Sequence, residues 1–232
     1  VSRRVHDNGQ KLYFDVFGFD SFSTAQEVSA DGVKISTTEF YNRALIEEAL
    51  SKFQVVTISV GGIPVEDIDL LVDEVLKDHS EKICLLYGFQ AEPTPLEQNN
   101  LRKLRFLKER YPDFECGFMD HSDGGSEDAF HLSLLAMGMG ISVIEKHLTL
   151  DRSLRIEDYV SGLPPDQFKK FTELVRRYES ALGSAGMELS ELEKEYRNKA
   201  TKSVVARRDI GKGEIIQTGD IALKRTGANY TG

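Results

Sequence analysis

Residues 55–64, VVTISVGGIP, decide the fold. A β-branched apolar run, 55–59, stops at Gly61-Gly62, and Pro64 then opens a stretch rich in Leu and Val. A strand that ends in glycines and hands over to a helix opened by proline is one βα unit. The same pattern recurs on both sides. Upstream stand 12–17 (LYFDVF) and 32–36 (GVKIS), the latter followed by a helix over 41–52. Downstream, 83–88 (ICLLYG) leads to a helix through 96–111. A strand around 116–118 leads through a glycine-rich turn to a helix from 127 to 137, and 142–145 forms a strand that ends at His147. Pro164-Pro165 opens a long helix whose Phe168, Phe171, Leu174, Val175 and Leu182 share one face. This alternation predicts an α/β chain with a parallel sheet. Six strands are present, two short of a closed (β/α)8 TIM barrel.

The opening residues VSRRVHDNGQ read as the tail of a helix already under way, so the chain is expected to begin inside a domain. The barrel part covers 1–183, and a charged linker helix covers 184–200. Residues 201–232 begin a small β-rich module with glycine turns that stops before it closes. With 29 basic and 38 acidic residues the net charge is −9, which disfavours nucleic acid as a partner. No apolar run is long enough for a membrane span, and no leader opens the chain. The only two cysteines, Cys84 and Cys116, fall in strand-like segments, which suits a reducing compartment and predicts a cytoplasmic protein.

Parallel barrels carry their chemistry at the C-terminal ends of strands. Those ends present Thr37 and Glu39, Ser59, Gln90, Asp120 with His121, and Glu145 with His147. His121 and His147 end consecutive strands, which lie about 4.8 Å apart, so the two imidazoles either share one cation or are polar groups at a barrel rim. Lys34 near its strand end either meets an anion or snorkels out of the barrel. Ser59 with Gly61-Gly62 offers hydroxyl and N–H groups to an anion, or is a plain strand-to-helix connection. The turn Asp123-Gly124-Gly125-Ser126 has the same two readings, with Ser126 as the helix cap in the second. Asp158 either holds sugar hydroxyls or is solvated.

Taken together, FMDHS (118–122), VIEKHLTLD (143–151), EPTP (92–95), SVVARRDIGKGE (203–214) and KRTG (224–227) resemble the sialic acid synthase family. The resemblance runs from about residue 12 to the C-terminus. It implies an aldolase-type barrel joined through a linker to a small antifreeze-like (SAF) domain, and a transferase that condenses phosphoenolpyruvate with an N-acylated hexosamine and releases phosphate. It also implies His121 and His147 as ligands of Mn²⁺ or Mg²⁺, and Lys34, Thr37 and Ser59 as holding phosphoenolpyruvate. Gln90 and Asp158 match positions that contact the aminosugar. Arg225 matches an arginine lent by the SAF domain to the partner subunit of a domain-swapped homodimer.

Departures surround both substrates. The family's catalytic glutamate belongs to strands absent from this sequence, so 232 residues alone are expected to be inactive. Phe17 and Met119 stand where a threonine and a serine bind phosphate, which shifts the expected phosphate contact toward Gly124-Gly125. The leading expectation is a nonulosonic acid synthase with sialic, legionaminic or pseudaminic acid as product. The alternatives are a non-catalytic sugar or sugar-phosphate binding relative, and an aldolase using Lys34 as a Schiff base.

Overall fold

The computed structural model describes residues 1–226; 227–232, the end of the expected tail module, lie outside the described residues. The chain forms two units, Val1–Gly183 and Ser184 onward. The first unit runs α1 (Ser2–Asp7), β1 (Tyr13–Val16), α2 (Phe19–Glu27), β2 (Gly32–Ile35), α3 (Arg43–Lys52), β3 (Val56–Ser59) and α4 (Val65–Leu71). It continues through β4 (Ile83–Tyr87), α5 (Arg102–Arg110), β5 (Glu115–Asp120), α6 (Asp128–Met137), β6 (Val143–Lys146) and α7 (Pro165–Leu182).

All six strands are parallel, and their spatial order is their sequence order. β3 and β4 are buried along their whole length, as strands covered on both faces must be. The outer face of β2 and β3 packs on helices: Val33, Ile35, Val56 and Ile58 share one core with Leu45, Ile46, Ala49 and Leu50 of α3. Each such large aliphatic side chain contributes about 1.5–3 kcal/mol of burial free energy. Asn42 starts α3 by accepting the Leu45 N–H at 3.2 Å.

The sheet curls. β2 and β6 are four strand spacings apart, about 19 Å across a flat sheet. Yet Lys34 Nζ of β2 lies 2.8 Å from Glu145 Oε1 of β6. The bond crosses the concave side, so the six strands form most of a barrel wall. Cys84, Leu86 and Met119, with Val143, form a small separate apolar cluster. β1 and β6 are the sheet's edges, and a groove of about 1200 Å³ bounded by Tyr13, Ile144, Phe168, Phe171 and Val175 opens between them.

Three local features differ from the sequence reading. Helix α2 was not anticipated, because FDSFSTAQE is polar overall and buries only Phe22 and Ala25. The helix expected over 96–111 is broken: a 3-10 turn, Leu96–Gln98, ends where Asn99 donates to the Pro95 and Leu96 carbonyls and Asn100 turns left-handed at φ 46°. The helix after Pro64 unwinds into a π turn at Val72–Leu76 and a 3-10 stretch at Lys77–Lys82.

Both cysteines are free and buried. Burial, then the nearby Cys116, pushes the Cys84 thiol up to about 12, and burial pushes Cys116 up to about 11. Thiolate is the reactive form, so in native protein at pH 8 both should react with a disulfide reagent at least about 10²-fold more slowly than in urea. Rapid native labelling would show that the sheet opens.

The second unit carries α8 (Glu191–Ala200), opened by a reciprocal cap between Ser190 and Glu193. An antiparallel pair follows, β7 (Ser203–Ala206) with β8 (Ile221–Lys224), and Arg208 joins Glu214 and Asp220 in the turn between them. Among the described residues no helix is long and apolar enough to cross a membrane.

Candidate functional site

Strand alternation sorts the polar residues of the barrel wall onto two faces. Lys34 sits between two carboxylates, Glu145 Oε1 at 2.8 Å and Asp15 Oδ2 at 3.1 Å. Burial opposes its charge, but Glu145 and Asp15 outweigh burial and hold the ammonium above its usual pKa. Burial dominates at Asp15 and raises that carboxyl despite Lys34. Asp15 Oδ1 is buried without a hydrogen-bond partner.

Past the ends of β5 and β6 stand His121 and His147. The register places Met119 beside Glu145 and Asp120 beside Lys146, so the next residue of each strand is a histidine, and the two rings lie 5.0 Å apart. His121 is buried, and its pKa is lowered by burial and then by His147. It is therefore neutral at pH 7 and keeps a lone pair. His121 Nδ1 and His147 Nε2 are both buried and unpartnered. Two orphaned imidazole nitrogens on adjacent strands fit a divalent cation with open coordination positions. Among the described residues no group of three His, Cys, Asp or Glu side chains is arranged to hold a metal ion. Such a cation would complete its shell with water or substrate oxygen.

Asp158 lies in the loop after β6, with its backbone in the left-handed region at φ 61°. Its Oδ2 is 3.6 Å from His147 Nδ1, and its Oδ1 accepts from Gln90 Nε2. The loops after β4 and β6 thus meet over the histidines. Ser59 is buried at the end of β3, where its hydroxyl points at Met119 Sδ, 3.4 Å away. Thr37 is half-buried in the 3-10 turn Thr37–Glu39 after β2. Arg225 follows β8 in the second unit and is exposed. Phe17, just past β1, is also exposed.

The glycine-rich turn is not the anion cradle the sequence suggested. Gly124 N–H bonds Val160 O at 2.8 Å, Gly125 N–H bonds Asp123 Oδ1 at 2.7 Å, and Ser126 N–H bonds Asp123 O at 3.0 Å. Arg152 also pairs with Asp123, at 2.7 Å. The donors that would hold phosphate are already used, by Val160 of the loop after β6 and by Asp123 of the turn itself.

Asp15 was not singled out from sequence. In YFDV, Val16 is buried against the helices, so Asp15 faces the other way, onto the side that carries Lys34, a phase that the residue types alone do not set.

The profile of the NeuB family matches residues 2–187. The chain is 28% identical to an N,N'-diacetyllegionaminic acid synthase of Campylobacter jejuni over 90% of its own length and 61% of that protein's. It is 35% identical to a pseudaminic acid synthase of the same species over 73% of its length and 48% of that protein's. Among solved structures it superposes on an N-acetylneuraminic acid (sialic acid) synthetase from Leptospira borgpetersenii with a TM-score of 0.76, at 26% identity, over 86% of this chain and 68% of the other. The chain spans about three fifths of the length of the legionaminic acid synthases it matches.

Proposed function

Since this chain belongs to the NeuB family, we propose that it is the larger part of a nonulosonic acid synthase that condenses phosphoenolpyruvate with an N-acylated hexosamine. The observation that carries the reading is the pair of unpartnered imidazole nitrogens at adjacent strand ends, beside the Lys34 ion cluster. A carbon–carbon bond would form between C3 of phosphoenolpyruvate and the open-chain sugar's aldehyde carbon. Water would then add at C2, and phosphate would leave.

His121 and His147 would hold Mn²⁺ or Mg²⁺, whose chemistry is Lewis-acid polarisation of the aldehyde oxygen. Lys34 would offset the negative charge of phosphoenolpyruvate by exchanging Asp15, the longer of its two bonds, for substrate. Ser59 and Thr37 would supply hydroxyl donors to the same anion. Gln90 and Asp158, already bonded to each other over His147, would take the hydroxyls of the acceptor sugar. The second unit would begin a SAF domain whose Arg225 serves the site of a partner copy in a homodimer.

The test is phosphate release from phosphoenolpyruvate by the protein with its whole barrel, with and without Mn²⁺, across a panel of N-acylated hexosamines. The expected result is release that needs Mn²⁺ and one acceptor from the panel. One observation favours a second reading: Met119 puts a thioether, not a donor, beside Ser59. If folded, metal-loaded protein releases no phosphate with any sugar but binds one, the synthase reading is overturned in favour of a binding relative.

A further inference from the structure

On the face of β5 and β6 opposite to Lys34 and Glu145 lies a second ion pair, which the proposed reaction does not use. Lys146 Nζ is 3.1 Å from Asp120 Oδ1, and both side chains are completely withdrawn from solvent. Asp120 Oδ1 also accepts the Ser122 N–H at 3.0 Å and the Ser122 hydroxyl at 2.6 Å. Its Oδ2 accepts the Ser133 hydroxyl of α6 at 2.7 Å. Lys146 donates to Ser122 Oγ at 3.1 Å.

Asp120 and Lys146 face each other in the sheet register, and each immediately precedes one histidine. The bond from Asp120 Oδ1 to the N–H two residues on folds the chain into a tight turn with His121 at its apex. From the other side, the His121 carbonyl accepts from Thr94 N–H at 2.9 Å and from Ser161 Oγ at 2.9 Å. The His147 carbonyl accepts from Leu163 N–H at 3.0 Å. Apolar contacts already hold α6 to the wall through Ala129, Leu132 and Ala136. A buried ion pair is rarely the cheapest way to add stability, because desolvation offsets most of its attraction. What it adds is direction, since the charges and hydroxyls satisfy one another in a single arrangement.

We propose that Asp120 and Lys146, anchored to α6 through Ser133, are positioning residues that fix the spacing and aim of the His121 and His147 imidazoles for a shared divalent cation. The proposal rests on the metal reading given above. It predicts a defect in metal affinity that is separable from a defect in folding.

The experiment is titration of the full chain with Mn²⁺ alone, read by calorimetry and by loss of the free-Mn²⁺ paramagnetic resonance signal. The parent is expected to bind one Mn²⁺. The double variant Asp120→Asn/Lys146→Met leaves no buried charge unpaired. It is expected to melt within a few degrees of the parent while its dissociation constant for Mn²⁺ rises about 10–100-fold. Ser133→Ala removes only the tie to α6, and a several-fold rise is expected there even if the double variant does not fold. Parent-like Mn²⁺ affinity in Ser133→Ala, or in folded double variant, overturns the positioning role and leaves the metal reading intact. A parent that binds no Mn²⁺ overturns the metal reading and this proposal with it.

Discussion

His121→Ala in the protein with its whole barrel should cut Mn²⁺-dependent phosphate release by about 10³-fold, without unfolding the chain. The magnitude follows from the chemistry: a Lewis acid at a developing alkoxide is worth several kcal/mol, and about 4 kcal/mol is three orders of magnitude in rate. Folding should survive, because the contacts that tie this residue to the neighbouring loops are made by its backbone carbonyl. His121 Nδ1 has no partner, whereas the backbone contacts at this residue come from its carbonyl, which alanine keeps. The control is His6→Ala, since His6 is a solvent-facing partner of Asp31 on α1 and should leave turnover unchanged. Activity of His121→Ala equal to the parent's, with Mn²⁺ present, would remove the imidazole pair from the reaction.

The largest effect on stability is expected at Gly61. A Cβ there would run into the Gly88 carbonyl oxygen, and a Cβ on Gly88 would in turn run into the Met119 carbonyl. Three successive strand ends are thus in backbone contact, where no flexible side chain can yield. Gly61→Ala should cost more than about 4 kcal/mol or prevent folding, the range reserved for forced backbone displacement. Its neighbour is the internal control. Gly62 has φ 79° and open space around its Cβ position, so Gly62→Ala should cost only the left-handed penalty of about 1–2 kcal/mol. Urea melts of the two variants decide the matter, and equal midpoints would show that the strand ends can separate at little cost.

How much of this was legible in the sequence depended on which physical signal each residue left. The strand ICLLY announced itself because a parallel strand covered on both faces must be apolar along its length. Strand boundaries shifted by one or two residues, and β5 extended to Glu115 and Asp120, because pairing partners and not composition end a strand. The two histidines were legible because a strand-end position is itself a location in this architecture. Asp15 and the Asp120–Lys146 pair were not, since both depend on which face of a strand a residue occupies. A one-residue slip in strand phase inverts that assignment. The closure of the Gly124 turn was beyond reach as well. Its donors are taken by Val160 and by the Asp123 carboxylate and carbonyl, and only the folded path of the β6 loop brings Val160 there.

The agreement between strand order and chain order has a kinetic consequence. Paired residues on neighbouring strands are only 19 (Tyr13 to Gly32) to 31 (Cys84 to Glu115) positions apart, so each new strand can dock as soon as it leaves the ribosome. The Lys34–Glu145 bridge spans 111 positions. Closing a loop of that length costs about 1 kcal/mol more chain entropy than closing one of the short crossovers, which favours forming the bridge after the strands between have assembled. A sheet assembled strand by strand along the chain would thus gain its short-range pairings first and the contact across its concave side after them.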